Sequence, residues 1–196
     1  SAGPGVIMVG LGMADDFAPT PLALSRRKFT AADVQRMLDT GLLTDRDKVE
    51  LIEGELIEMA PQGPQHWRLT QKLVSFLLRN LPETVDLASQ GPLRLGTYNE
   101  PEPDLFLFPA GMDVNDVRGL DVILAIEVSV SSLAYDRELK RDIYARHGVR
   151  VYWVIDIEAQ RTLVFDLSDQ DADPQEVAFT SPLAVAGIDI TLATLV

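Results

Sequence analysis

The chain has 196 residues, 46% apolar and 24% charged, enough for one domain with a full core and ordinary for a soluble globular protein. Its 30 acidic and 17 basic residues leave a net charge of −13, which argues against a surface that attracts nucleic acid everywhere and confines such binding to a local basic strip. The absence of cysteine excludes disulfides, a thiolate nucleophile and cysteine-ligated zinc. With His66 and His147 as the only imidazoles, a metal site has to be built mostly from oxygen, which suits Mg2+, Ca2+ or Mn2+.

Residues 1–28 read as a flexible extension punctuated by glycine, proline and alanine, without the basic n-region or compact apolar stretch of a secretory signal. No apolar run approaches the roughly 20 residues that span a bilayer, so a cytoplasmic location without membrane attachment is expected. Residues 29–196 read as a single domain. "FTAADVQRMLDTG" predicts a short helix, capped by Thr30 with Asp33 three residues on and stopped by Gly41. "KVELIEGELIEMAP" predicts a hairpin around Gly54. In "PQHWRLTQKLVSFLLRNLP", Trp67, Leu69, Leu73, Val74, Leu77 and Leu78 recur at helical spacing between Pro64 and Pro82.

Residues 84–96 form a weaker strand candidate. The continuous tetrad Leu105 to Phe108 reads as a strand covered on both faces, with Asp104 immediately before it. A strand over 121–128, a helix over about 133–147 stopped by Gly148, and the strand "VYWVIDI" make a βαβ unit with parallel strands. "RTLVFDL", "QEVAFT" and "GIDITLATL" are three further strand candidates, the first forming a hairpin with "VYWVIDI". The fold class is therefore α/β, a mixed sheet flanked by helices with an N-terminal hairpin.

One residue breaks the apolar logic. Glu127 closes the run from Val122 to Ile126, and a buried acid is costly unless it is paired, protonated or bound to a metal. Were the strand after Asp104 to leave one end of the sheet and the strand carrying Glu127 to return to it, the two acids would meet, and a divalent cation is their natural third party. Glu50 and Glu53 in the hairpin could each supply another oxygen, although the solvent side of an exposed hairpin explains them more simply. Leu139 and Ile143 mark the core stripe of the following helix, with Lys140 at its margin, free to extend to solvent or to lean toward the acids. Arg137, Lys140, Arg141, Arg146 and Arg150 cluster around that helix, but interspersed acids favour a mixed solvated face over a phosphate-binding strip.

The segments "FTAADV", "ELIEGELIEMAPQGPQH", "EPD", "IEVSVSS" and "DRELKRDIYARHGVRVYWVID" together resemble the Uma family of endonucleases, within the PD-(D/E)XK superfamily, over about residues 29–167. The resemblance implies a restriction-endonuclease-like core and phosphodiester hydrolysis of nucleic acid, DNA above RNA, with Mg2+ or Mn2+. It implies Asp104 and Glu127 as metal ligands with the carbonyl of Val128, Glu53 as an additional acid, Lys140 as the catalytic cation, and pairing into a homodimer. The superfamily lysine two residues after the glutamate is replaced by Ser129. His66 matches a histidine common at the start of the family's long helix, and Asp156 reads as structural. Two other readings compete: a nuclease-fold module that binds or assembles without cleaving, and a hydrolase of a small phosphorylated substrate. A serine hydrolase is disfavoured, since Ser129, Ser131 and Ser132 lack a glycine-flanked nucleophile elbow.

Overall fold

The computed structural model describes residues 26–44, 46–130, 132–169 and 171–196. The expected extension thus lies outside the described residues as far as residue 25, and Ser131 lies outside them too. The first element is α1 (Ala31–Asp39), capped as its sequence predicts: the Thr30 side chain accepts from Asp33 N–H, and Asp33 accepts from Thr30 N–H at 2.9 Å. Next come β1 (Val49–Ile52) and β2 (Glu55–Glu58), an antiparallel hairpin with Glu53 and Gly54 at its turn, both at positive φ.

Helix α2 (Pro64–Asn80) buries Leu69, Leu73 and Leu77 together with His66 and Thr70. Trp67 and Leu78, expected on its apolar face, are 58% and 66% exposed, because the core-facing stripe is centred one position round the helix from them. A six-stranded sheet follows, in the order β3 (Val85–Ser89), β4 (Leu105–Pro109), β5 (Leu124–Ser129), β6 (Val151–Asp156), β7 (Arg161–Asp166) and β8 (Gln175–Ala178). Only the β5–β6 pair is parallel, as expected of the crossover, and β6–β7 is the anticipated hairpin. Strand β5 starts at Leu124 rather than at 121, since Gly119–Asp121 forms a 3-10 turn. The last strand candidate is not part of this sheet: β9 (Leu183–Val185) and β10 (Ile188–Ile190) pair only with each other.

Alternation along the buried strands divides the core. Phe106, Ala125, Tyr152 and Val154 face one way, with Ile143 and Tyr144 from the crossover, while Leu105, Leu107, Leu124, Ile126 and Trp153 pack under α2. Both faces are covered, which accounts for the unbroken apolar runs in β4 and β5.

The crossover helix differs from its expected form. It runs as α3 (Leu133–Tyr135), a π-helical turn (Asp136–Lys140) and α4 (Arg141–Arg146), with Arg141 N–H reaching back to the carbonyl of Asp136. The wider turn rotates the phase of the helix, so Leu139 is 37% exposed while Lys140 is buried at 4%. A 3.6-residue period places these two the other way round.

The crossover's end is held close to the loop before β5. A Cβ on Gly119 would stand 2.2 Å from the carbonyl oxygen of His147, whereas one on Gly111 would meet nothing within 4 Å. Gly111→Ala therefore costs only its left-handed backbone at φ +86°, about 1–2 kcal/mol. Gly119→Ala has to move backbone, and its thermal midpoint is expected to fall well below that of Gly111→Ala in parallel melts.

Candidate active site

Asp104 stands one residue before β4. The antiparallel register sets Leu105 opposite Ile126, so the next pair outward brings Asp104 beside Glu127 on one face of the sheet. The Asp104 carboxylate is held on both oxygens. Oδ2 accepts from Val128 N–H at 2.7 Å and from His66 Nε2 at 2.9 Å, while Oδ1 accepts from Gln62 Nε2 at 3.2 Å. Gln62 accepts in turn from Gln90 Nε2 at 3.1 Å. His66, in the first turn of α2, thereby ties that helix to the end of the sheet.

Glu127 accepts at Oε1 from Lys140 Nζ at 2.8 Å and from the Tyr144 hydroxyl at 3.0 Å, and Oε2 takes neither bond. Lys140 lies also 2.8 Å from Oε1 of Glu50, which accepts further from Glu102 N–H at 2.8 Å and, at Oε2, from the Tyr135 hydroxyl at 3.1 Å. Strand β1 points Glu50 and Ile52 inward together, and Glu50 is 1% exposed. The solvent-side explanation fails for this residue and holds for Glu55 and Glu58.

Glu53, carried from the family pattern as the additional acid, is not in this cluster. It sits in the hairpin turn at φ 54°, half-exposed, and pairs with Arg146 at 2.5 Å. A register argument explains the exchange: the turn residue is past the end of the strand, while Glu50 is still on it. Ser129 is buried on the same face as Glu127, 3.4 Å from the Ser132 hydroxyl, which donates to Asp136 at 2.5 Å. It provides no cation, and the ammonium comes from Lys140 on the helix. Asp156, opposite Ser129 in the parallel register, accepts from Ala159 N–H and pairs with Arg161 at 3.5 Å.

The electrostatics follow from the count of buried charges. Glu50, Asp104, Glu127, Asp136 and Asp156 are buried, against Lys140 as the one buried lysine or arginine among the described residues. Burial drives Glu127 well above the usual carboxylate range, and Asp136 and Asp104 add to this against the pull of Lys140. Burial lifts Asp136 as well. Desolvation pulls the Lys140 ammonium down, but Glu127, Glu50 and Asp136 outweigh it and leave Lys140 above its ordinary value, hence protonated. Burial likewise raises the Tyr135 phenol, which stays a donor to Glu50.

Among the described residues no three carboxylate or imidazole groups converge into a preformed metal cage. Asp104 and Glu127, neighbours in the strand register, are the two acids that could hold a cation such as Mg2+ that keeps several of its waters.

The family model described as "Putative restriction endonuclease" matches residues 32–193. The chain belongs to the Uma2 family. A solved structure from Anabaena variabilis ATCC 29413, described as a putative nuclease belonging to DUF820, superposes on this Uma2 chain with a TM-score of 0.60 at 16% identity, covering 80% of this chain and 94% of that one. At that identity the likeness is one of fold: the mixed sheet with helices on both faces. No curated protein matches the sequence.

Removing the Lys140 charge leaves two buried carboxylates facing each other, so Lys140→Ala in this Uma2 protein is expected to lose roughly 3–5 kcal/mol in urea unfolding without added metal. Glu127 binds its proton more tightly folded than unfolded. Folding therefore takes up a proton, and stability falls as pH rises from the ordinary value of 4.5 through the raised one. Glu127→Gln is expected to flatten that decline in thermal midpoints recorded between pH 5 and pH 8.

Proposed function

We propose that this protein is a metal-dependent endonuclease that hydrolyses phosphodiester bonds in nucleic acid, with DNA as the substrate. The supporting observation is the meeting of Asp104, Glu127 and Lys140 at one end of the sheet, brought there by three separate elements, in a chain of the Uma2 family. Glu50 joins them in the place assigned by resemblance to Glu53.

In this reading Asp104 and Glu127 would hold Mg2+ or Mn2+, with the Val128 carbonyl as a third ligand. Bound there, such an ion would supply a lowered pKa for a coordinated water and positive charge beside the phosphorus. The chain's own residues do the rest. His66, Gln62 and Val128 N–H fix the Asp104 carboxylate so that it need not reorganise on binding. Tyr144 and Lys140 fix Glu127 in the same way. Lys140 supplies a permanent ammonium beside the acids, able to orient the attacking water or to hold a phosphate oxygen. Pairing of two copies would place two such sites on one duplex.

One observation favours a second reading. Lys140 already neutralises part of the site, and only two ligand side chains fit the cation. A nuclease-fold module that binds without cutting would look the same. Incubation of the purified protein with supercoiled plasmid and Mg2+ or Mn2+ separates the two. Cleavage is expected, abolished by chelator and reduced at least a hundredfold in Asp104→Ala and Glu127→Ala; equal cleavage by parent and variants would overturn the site.

A further inference from the structure

The cations around the crossover helix do not form a phosphate-binding strip, the reading their interspersed acids disfavoured: Lys140 is buried between acids, and Arg146 pairs with Glu53. A different surface carries free positive charge. The 17 residues of α2 contain no aspartate or glutamate, in a chain with 30 acids. They contain Arg68, Lys72 and Arg79, all exposed, none with an ion pair or hydrogen bond among the described residues. By contrast, Arg36, Arg94 and Arg161 each lie beside an acid.

At 3.6 residues per turn, Arg68, Lys72, Ser75 and Arg79 fall within roughly 60° of arc, on the side of α2 opposite its buried leucines. The charges extend for about 16 Å along the axis, a length over which duplex DNA carries on the order of ten phosphate charges. Lys72 and Arg79 also line a shallow depression of about 340 Å³, together with Gln71, Ser75 and Asn80, whose side chains can donate hydrogen bonds, and Phe76. Along the axis the strip starts within one turn of His66, which lies on the opposite, buried side of α2 and holds Asp104 at the site. A net-negative protein that binds a polyanion has to concentrate cations where the polymer lies and keep acids away from them, and α2 meets both conditions.

We infer that the exposed face of α2, through Arg68, Lys72 and Arg79, is the surface that holds the phosphate backbone of the nucleic acid leading away from the active site. The inference rests on the nuclease reading for its choice of partner. It assigns these residues to backbone positioning, without base selection.

The test is binding of a fluorescent 30-base-pair duplex by the full chain, with Ca2+ in place of Mg2+, over a series of salt concentrations. The variant carries Arg68→Gln, Lys72→Gln and Arg79→Gln together. Arg150→Gln, an exposed cation at the opposite end of β6 from the site, is the control, and circular dichroism checks that both stay folded. The triple variant is expected to bind on the order of tenfold to a hundredfold more weakly near 0.1 M salt, with the slope of log affinity against log salt shallower by about 2 to 3. The control should keep the parent's slope. Manganese-dependent hydrolysis of bis(p-nitrophenyl) phosphate, too small to reach the strip, should be the same in triple variant and parent. A parent that binds duplex with the same slope as the triple variant overturns the strip and leaves the nuclease reading standing. A parent that binds no duplex also overturns it. A parent that binds through the strip yet hydrolyses neither plasmid nor the small diester supports the strip and sinks the nuclease reading.

Discussion

The end of the sheet is organised by one buried ammonium. Lys140 stands 2.8 Å from Glu50 and 2.8 Å from Glu127, and no other lysine or arginine among the described residues is buried. Neither acid could be tolerated there alone, because each isolated carboxylate in an apolar interior costs several kcal/mol. The three elements that carry these residues, the hairpin strand β1, the central strand β5 and the crossover helix, are consequently fixed relative to one another by charge as well as by packing. Tyr135 and Tyr144 close the cluster by donating to the same two carboxylates.

Asp104 is built on a different principle. It has no lysine partner and is held by neutral donors and an imidazole, from the neighbouring strand, the loop before α2 and the first turn of α2. The result is a carboxylate locked in direction beside a second one, Glu127, that is pushed toward its protonated form. The two neighbouring acids thus sit in unlike surroundings, one held by directed donors and the other beside a buried ammonium. The exposed cations of α2 lie outside this cluster, on the solvent side of the helix that His66 anchors.

Much of the architecture is legible from local pattern. The Thr30–Asp33 cap, the hairpin around Gly54, the buried tetrad Leu105 to Phe108 and the parallel crossover all arise from interactions within a few residues or from burial on both faces of a strand. Where the pattern misleads, a non-local effect is responsible. The π-helical turn shifts the helix phase and reverses the roles of Leu139 and Lys140, and neither residue signals it beforehand. Trp67 and Leu78 satisfy a helical spacing but fall outside the stripe that the sheet covers.

The site divides along the same line. Residue order alone singles out Glu127, because an acid at the end of a five-residue apolar run has few inexpensive explanations, and it points to Asp104 as the partner because a short reversing connection brings the two strand ends together. It cannot choose between Glu50 and Glu53, which share a hairpin, a charge and a sequence neighbourhood. Tertiary structure makes that choice, since strand β1 directs Glu50 into the core toward Lys140 while the turn swings Glu53 out to Arg146. The acid-free run of α2 stands in the chain, but only folding, by burying one side of that helix, left Arg68, Lys72 and Arg79 together on an exposed face.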